Sequence, residues 1–385
     1  MKILLTGATG FIGARLAAAL RERGHTVVGA ARRGATIEVD FTRDHAPADW
    51  LPHLAGIDAV VNAVGIFREH GTQRFDALHR AAPVALFQAC ARLGTARVVQ
   101  VSALGADAQA HSAYHRSKRA ADTALAALEL DAAIAQPSLV YGQGGTSAAL
   151  FGTMASLPVL PLPGRGAQRV QPIHVDDAVA ALVALVEART GPGCTVVPLV
   201  GPEPVTFARW LAALRAGLGL RPTLQLPMPI ELVRAVAGLA ARWPGAPLDP
   251  DAIDMLERGN VGDPAPTAAL LGHPARPVER FIAPEDAPGE RVLARLGWLV
   301  PLLRSSLAAV WLTAALVSVG AWPVQDSYAM LARTGVPEAL RPLTLWGAAG
   351  MDLAFAVATL WPRAGRRLWL AQMALVAVYS LLIAW

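Results

Sequence analysis

Cysteine is nearly absent from this chain: Cys90 and Cys194 are the two in 385 residues. Both lie in apolar surroundings and neither has CxxC spacing, which excludes a disulfide framework and points to buried free thiols in a reducing compartment. No His/Cys cluster has ligand spacing, so no metal is expected. Charge is also scarce, at 16% of residues, and the lysines are Lys2 and Lys118. The net charge of +5 and pI near 9.7 therefore come from dispersed arginines. No basic run is interleaved with aromatics, which argues against nucleic acid as a partner. Met1-Lys2 leads straight into an apolar strand with no room for a leader, and a cytoplasmic N-terminal domain is expected.

Apolar residues, by contrast, make up 54% of the chain, and the mean hydropathy is +0.40. Such a balance is high for a wholly soluble protein, so part of the chain is expected in lipid. The length suits a complete α/β domain and something more.

The stretch MKILLTGATGFIG, followed by RLAAALRERG, reads as a strand, a tight turn and a helix start. A parallel strand that ends at a helix N-terminus presents free backbone N–H groups and the positive end of the helix dipole, where a pyrophosphate binds. Gly7 permits the turn, Gly10 lets phosphate approach, and Gly13 lets helix and strand pack closely. Thr9, Phe11 and Ile12 complete this dinucleotide-binding turn. Thr26 to Ala30 reads as a second strand, and behind it Arg32 and Arg33 stand where an acid would bind a ribose 2′-hydroxyl. Arginine there accommodates a 2′-phosphate, which favours NADP(H) over NAD(H). Asp40 and Phe41 end a third strand at Glu38 to Phe41, with Asp40 placed to meet an adenine amino group. The next strand runs into Asn62, Ala63, Val64 and Gly65, small residues able to line the cofactor. Arg74 to Leu93 reads as a covering helix.

Arg97 to Val101 is a strand that delivers Ser102 at its C-terminal end. Ser112 caps a helix on which Tyr114 and Lys118 stand four apart, on one face. An ammonium one turn from a phenol stabilises the phenolate and is expected to lower its pKa. Tyr114 would then be acid or base toward a carbonyl or alcohol, Lys118 its activator and ribose ligand, and Ser102 the group that orients the substrate. A strand from Asp131 to Pro137 leads into Pro137, Ser138 and Val140, also on the cofactor side. His174, before Val-Asp-Asp, is expected to cap a helix. The fold class is α/β, a Rossmann-type doubly wound parallel sheet with a smaller substrate region and a transmembrane helical tail. Residues 1–290 form the nucleotide domain, with the substrate region mainly from 142–172 and 190–264, which includes a strand near Cys194 to Val200. Residues 265–290 are rich in Pro, Ala and Gly and read as a linker.

The tail, 291–385, holds apolar runs near 301–322, 343–361 and 368–385, each close to the ~20 residues that cross a bilayer and each with tryptophan near its ends. Arg363, Arg366 and Arg367 between the second and third runs place that loop, and the nucleotide domain, on the cytoplasmic side. The location expected is the inner membrane, multi-pass. Asp352 sits midway along the second run, where a packing role and a proton- or quinone-related role stand equal.

TGATGFIG, Ser102, Tyr-His-Arg-Ser-Lys and PSLVYG, in this order, resemble the short-chain dehydrogenase/reductase superfamily in its extended and atypical, epimerase/dehydratase-like branch. Val101 to Ala106, Ser112 to Lys118 and Ile173 to Asp177 are similar to the group that contains the nucleotide-binding accessory subunit of complex I. The tail resembles a DoxX-like membrane domain, though relatives usually show four membrane helices, and Gln136 stands where extended members often have arginine. The resemblance implies a membrane-anchored NAD(P)(H)-dependent oxidoreductase acting on a small molecule, with an apolar substrate hinted at by the bilayer. The rival is a non-catalytic NADP(H)-binding protein that stabilises or senses a membrane redox complex.

Overall fold

The computed structural model describes residues 1–240, 250–361 and 365–383, in two compact units, Met1–Ala294 and Arg295–Trp385. In the first unit, β1 (Lys2–Thr6), β2 (Thr26–Ala31), β3 (Ile37–Glu38), β4 (Ala59–Asn62), β5 (Arg97–Val101) and β6 (Asp131–Pro137) are parallel, in the order 3-2-1-4-5-6. Alternation along β1 explains why the sheet is covered on both sides. Ile3 and Leu5 pack on one face with Leu16 and Leu20 of α1 (Phe11–Glu22). Leu4 packs on the other with Trp50 of α2 (Pro47–Leu54) and Leu86 of α3 (Ala82–Leu93). Each such fully buried side chain contributes about 1.5–3 kcal/mol. Strand order reverses between β1 and β4, so the Gly7 turn lies at a topological switch point, where open sheets of this kind bind ligands.

Three expectations change here. The third strand is only Ile37–Glu38, because the backbone N–H of Asp40 bonds the Asp44 carboxylate at 2.6 Å and the chain turns out of the sheet. Arg74 to Leu93 is not one α-helix: a π-helical stretch, Asp76–Ala81, precedes α3, beside Pro83, which has no N–H to give the ladder. The strand assigned to the substrate region, Gly193–Leu199, instead pairs along its whole length with β6, from Gly193 opposite Asp131 to Leu199 opposite Pro137. The helix before it, Val175–Glu187, buries nine side chains and crosses back over the sheet, and a crossover of the usual hand sets the next strand parallel to the last.

The helix Val175–Glu187, α6, covers the sheet beside α1, and the substrate region gathers α5 (Thr146–Ser156), α7 (Phe207–Gly217), α8 (Ile230–Ala240) and α9 (Pro250–Arg258) with short strand pairs. Phe207, Trp210 and Leu214 form its core with Leu160 and Leu162. Residues 265–290 are packed rather than linking. They hold α10 (Ala265–Leu271), Thr267 accepts from the Val200 N–H at 3.0 Å, and Val278, Phe281 and Ile282 are buried in that core. The Pro/Ala/Gly composition conceals apolar residues whose partners are far away in sequence.

Two stretches, Ala287–Gly320 and Glu338–Leu360, are long and apolar enough to cross a membrane. The first begins with α11 (Ala287–Leu316). After α12 (Val324–Arg333), the second is mostly α13 (Arg341–Leu360). The third expected span falls on α14 (Arg366–Ile383), which is not one of those two stretches over the described residues; the last residues of that span and Arg363 lie outside the described residues. Within the second unit, Trp311 donates to Gln372 at 2.9 Å and Gln372 to Thr359 at 2.8 Å, joining α11, α14 and α13. Asp352 is buried, facing the Tyr379 hydroxyl at 3.5 Å.

Candidate active site

Two of the three glycines are required by geometry, Gly7 and Gly13. Gly7 has φ +73°, and a Cβ there would lie 2.8 Å from the Ala63 carbonyl oxygen. A Cβ on Gly13 would lie 2.1 Å from the Gly7 oxygen, whereas on Gly10 its nearest contact would be the same oxygen at 3.2 Å. Gly13 thus seats α1 against the turn. Gly10 is the helix N-cap, with no side-chain cap bond and no acid in the first turn. The N-terminus of α1, at Phe11, Ile12 and Gly13, therefore offers its donors outward, beside exposed Thr9 and Gly10.

From this turn a cavity of about 930 Å³ extends over the ends of β2 and β3, lined by Thr9, Arg32, Arg33, Asp40, Phe41 and Val64, with Glu38 and Arg43 also on its wall. Asp40 accepts from the N–H and hydroxyl of Thr42 at 3.0 and 2.8 Å. Although burial opposes it, those bonds with Arg43 and Arg32 leave its pKa lowered. An uncapped helix end beside this cavity fits the pyrophosphate of a dinucleotide, with the cavity running on toward Arg32 and Arg33. Arg43 and Glu38 were missed in the sequence because they flank the cavity only after the chain turns at Asp40.

Asn62 is buried in a polar chain across three strands. Thr6 donates to its oxygen at 2.6 Å and its amide donates to Gln100 at 2.7 Å. The Val64 N–H also reaches it, at 3.3 Å. Asn62 thereby fixes the course of Ala63-Val64-Gly65 toward Lys118, whose ammonium donates to the carbonyls of Val64 at 3.2 Å and Val101 at 3.0 Å. Burial pushes Lys118 down to about 8, opposed by the field of Asp122.

Tyr114 and Lys118 share α4 (Ala113–Ala126), capped by Ser112, which accepts the His115 N–H at 3.2 Å. The Tyr114 ring is only partly covered, within rings of Phe67, Phe75, His79 and His115 at 5.3–6.1 Å. Burial of its hydroxyl, with the field of Asp122, pushes the phenol up to about 12. This corrects the expectation that Lys118 lowers it: two carbonyls hold the ammonium, and the nearby carboxyl works the other way.

Ser102 is turned elsewhere. It is buried, its N–H bonds the Ala135 carbonyl at 2.8 Å, and its hydroxyl donates to Asp122. Burial drives Asp122 up to about 6, against hydrogen bonds from Ser102 and Gln136 and the charge of Lys118. Asp122 was missed, yet its position one turn beyond Lys118 was a usable signal, since 114, 118 and 122 form one stripe. His79 was missed without any such signal. Its Nε2 accepts the Ile66 N–H at 3.0 Å, so Nδ1 carries the proton given to Ser117 at 2.9 Å, and Ser117 in turn donates to the Tyr114 carbonyl at 2.7 Å. Burial and Lys118 push His79 down to about 2, leaving it neutral.

Pro137, Ser138 and Val140 stand at the end of β6 as expected, and their polar groups tie the substrate region to the sheet. Ser138 donates to the Gln171 carbonyl at 2.6 Å, and the Pro137 carbonyl accepts the Leu104 N–H at 2.9 Å. Val140 pairs with Ile173. His174 caps α6, its Nδ1 accepting the Asp176 N–H at 3.3 Å. Among the described residues no group of His, Cys, Asp and Glu is arranged to hold a metal ion.

Residues 3–197 match the NAD dependent epimerase/dehydratase family, and residues 308–385 match the DoxX-like family. The chain is 35% identical over 191 residues to a ceramide reductase of Caulobacter vibrioides, covering 47% of this chain and 60% of that protein's own length. It is 33% identical over 269 residues to a 3-diazoavenalumate denitrifying reductase of a Streptomyces species, covering 59% of this chain and 84% of that one. Against mitochondrial NADH dehydrogenase (ubiquinone) 1 alpha subcomplex subunit 9 of Arabidopsis thaliana, the identity is 31% over 157 residues, covering 40% and 39%. The solved structure of MoeE5 with UDP-glucuronic acid and NAD matches with a TM-score of 0.57 at 22% identity, covering 74% of this chain and 98% of that one, a likeness of fold.

Proposed function

We propose, since the chain belongs to the NAD dependent epimerase/dehydratase family, that it is a membrane-anchored reductase that prefers NADP(H) and takes Tyr114 as its acid. One observation carries this reading. Tyr114 and Lys118 stand on one helical face at the C-terminal edge of the sheet, with the Lys118 ammonium fixed on the Val64 and Val101 carbonyls beside the Gly7 to Gly13 turn. A reduced nicotinamide nucleotide, held by that turn and by Arg32 and Arg33, supplies a hydride when bound. Tyr114, pushed up to about 12, keeps its proton at neutral pH, and so it suits donation to a carbonyl oxygen as that oxygen gains charge. Lys118, one helical turn away, is the group taken to hold the ribose, and to steady the phenolate left behind its ammonium must leave the Val64 or Val101 carbonyl. Ser102 and Asp122 position Lys118 and the end of β5 from behind; Ser102 would orient a substrate only by leaving Asp122. The reductase names among the relatives favour the reductive direction, and a lipid-like carbonyl suits both the ceramide reductase likeness and the DoxX-like tail. The positive charge of Arg363, Arg366 and Arg367 in the sequence supports a cytoplasmic side of the inner membrane for the nucleotide-binding unit.

Tyr114→Phe tests it: NADPH oxidation with a panel of long-chain carbonyls should fall to background while nucleotide still raises the melting temperature. The second reading, a non-catalytic nucleotide-binding member of a membrane redox assembly, is favoured by the engaged Ser102 and by the likeness to a complex I subunit. Tight nucleotide retention by the parent protein without turnover across the panel would decide for it.

A further inference from the structure

Five aliphatic side chains of the first unit stand in solvent around α8: Leu224 is 69% exposed, Leu226 50%, Leu232 50%, Val236 51% and Leu239 54%. Scattered exposed leucines need no account, but these follow one another within residues 224–239, three of them on one helix. Leu226 lies on the strand Gln225–Met228 that leads directly into α8, and Leu232, Val236 and Leu239 recur at helical spacing on one face. Val233 and Ala237, on the adjoining face, are buried with Ile253 of α9. The cation of α8, Arg234, is turned away, held by Asp254 at 2.9 Å and Glu257 at 2.6 Å. A helix with one apolar side packed and a second left bare, its cation withdrawn, suits the boundary between water and acyl chains.

What covers this face is argued from the same unit. The Arg291 guanidinium lies against Gly219, where a Cβ would be 3.3 Å from it, just before Leu224 in sequence. Arg291 belongs to the first turns of α11, the helix that continues into a membrane-length apolar stretch, and its neighbours Val292 and Leu293 are exposed as well. The segment that leads through Leu224 and Leu226 into α8 thus starts, at Gly219, against the root of a candidate membrane helix. Arg221, also exposed, and Arg291 add positive charge at that segment, which attracts anionic headgroups near a membrane surface. We infer that the exposed face of α8, with Leu224 and Leu226, rests in the headgroup and acyl boundary of the bilayer that α11 enters.

The consequence for the site is direct. α8 packs on α9, and Arg258 at the end of α9 donates to the Gly105 carbonyl at 2.9 Å and to Asp107 at 2.6 Å, the loop beside His115 and Tyr114. The helix that carries the bare face is therefore linked, through α9 and Arg258, to the loop at the mouth of the site. This rests on the membrane attachment in the reading above, not on its chemistry, so label depth and turnover fail separately.

The test uses the full chain in vesicles of phosphatidylcholine and phosphatidylglycerol, with a bimane label on Leu232→Cys or Val236→Cys and, as control, on the exposed Thr123→Cys of α4. Cys194→Ser removes the half-buried thiol, and buried Cys90 stays unlabelled. Retained nucleotide-induced thermal shifts establish that each variant is folded. Doxyl-lipid should quench the two α8 labels several-fold more than the control, and iodide several-fold less. Equal iodide quenching at all three sites would overturn the proposal. Protection from both quenchers would overturn it too, since a second copy or a protein partner would then cover the face.

Discussion

Replacing Gly13 and Gly10 separately by alanine tests where the nucleotide phosphates sit. At Gly13 the added methyl would lie 2.1 Å from the Gly7 oxygen and 2.8 Å from the Gly7 carbonyl carbon, both backbone atoms. The turn must then retreat by roughly 1 Å to restore contact distance, an overpacking that costs about 1–3 kcal/mol. For a unit of this size that lowers the melting temperature by roughly 2–12 °C. At Gly10 the methyl meets only the Gly7 oxygen, at 3.2 Å, and φ −79°, ψ 173° suit any residue. The poorer cap offsets the entropy gained in the unfolded chain, so stability should stay within about 1 kcal/mol. That methyl nevertheless stands at the open helix end. If it costs the pyrophosphate one charge-assisted hydrogen bond, about 1.5–3 kcal/mol, nucleotide affinity falls about 10–150-fold. Differential scanning fluorimetry gives both melting temperatures, and calorimetric titration with NADPH gives the affinities. Gly10→Ala with parental affinity, or Gly13→Ala with parental stability, would refute the assignment of the turn.

Two further outcomes follow from the same site. Asp122 is held near 6 by burial, against 3.8 for an ordinary aspartate, so the native state keeps a proton that the unfolded chain has released. Its contribution to stability is present below pH ~4 and is lost as pH rises through ~6. Melting temperature against pH should show that loss in the parent and lack it in Asp122→Asn, and identical slopes in both would count against the buried carboxyl. Arg32→Ser with Arg33→Ser should weaken NADPH binding about 10-fold or more and leave NADH nearly unchanged, measured by thermal-shift titration; equal losses for the two nucleotides would remove the 2′-phosphate argument.

Sequence by itself determined the local parts of this protein: the strand, glycine turn and helix of residues 2–22, the cap at Ser112, and the pairing of Tyr114 with Lys118 on one helical face. These depend on periods and dihedral needs spanning a few residues, which a chain declares wherever it is placed. The apolar tail was legible for the same reason, since length and hydropathy suffice. Tertiary structure alone decided the rest. Asp122, Lys118 and the Val101 carbonyl meet across two elements, His79 arrives beneath Tyr114 from a π-helical turn, and Arg258 comes from the far end of the substrate region. Tyr114 shows the difference most directly. A phenol and an ammonium four residues apart predict a lowered pKa, but burial and the Asp122 field reverse it, because desolvation depends on what surrounds a group and not on its neighbours in the chain. Residues 265–290 and Gly193–Leu199 were misplaced on the same ground: composition states how apolar a segment is, and only packing states what it lies against.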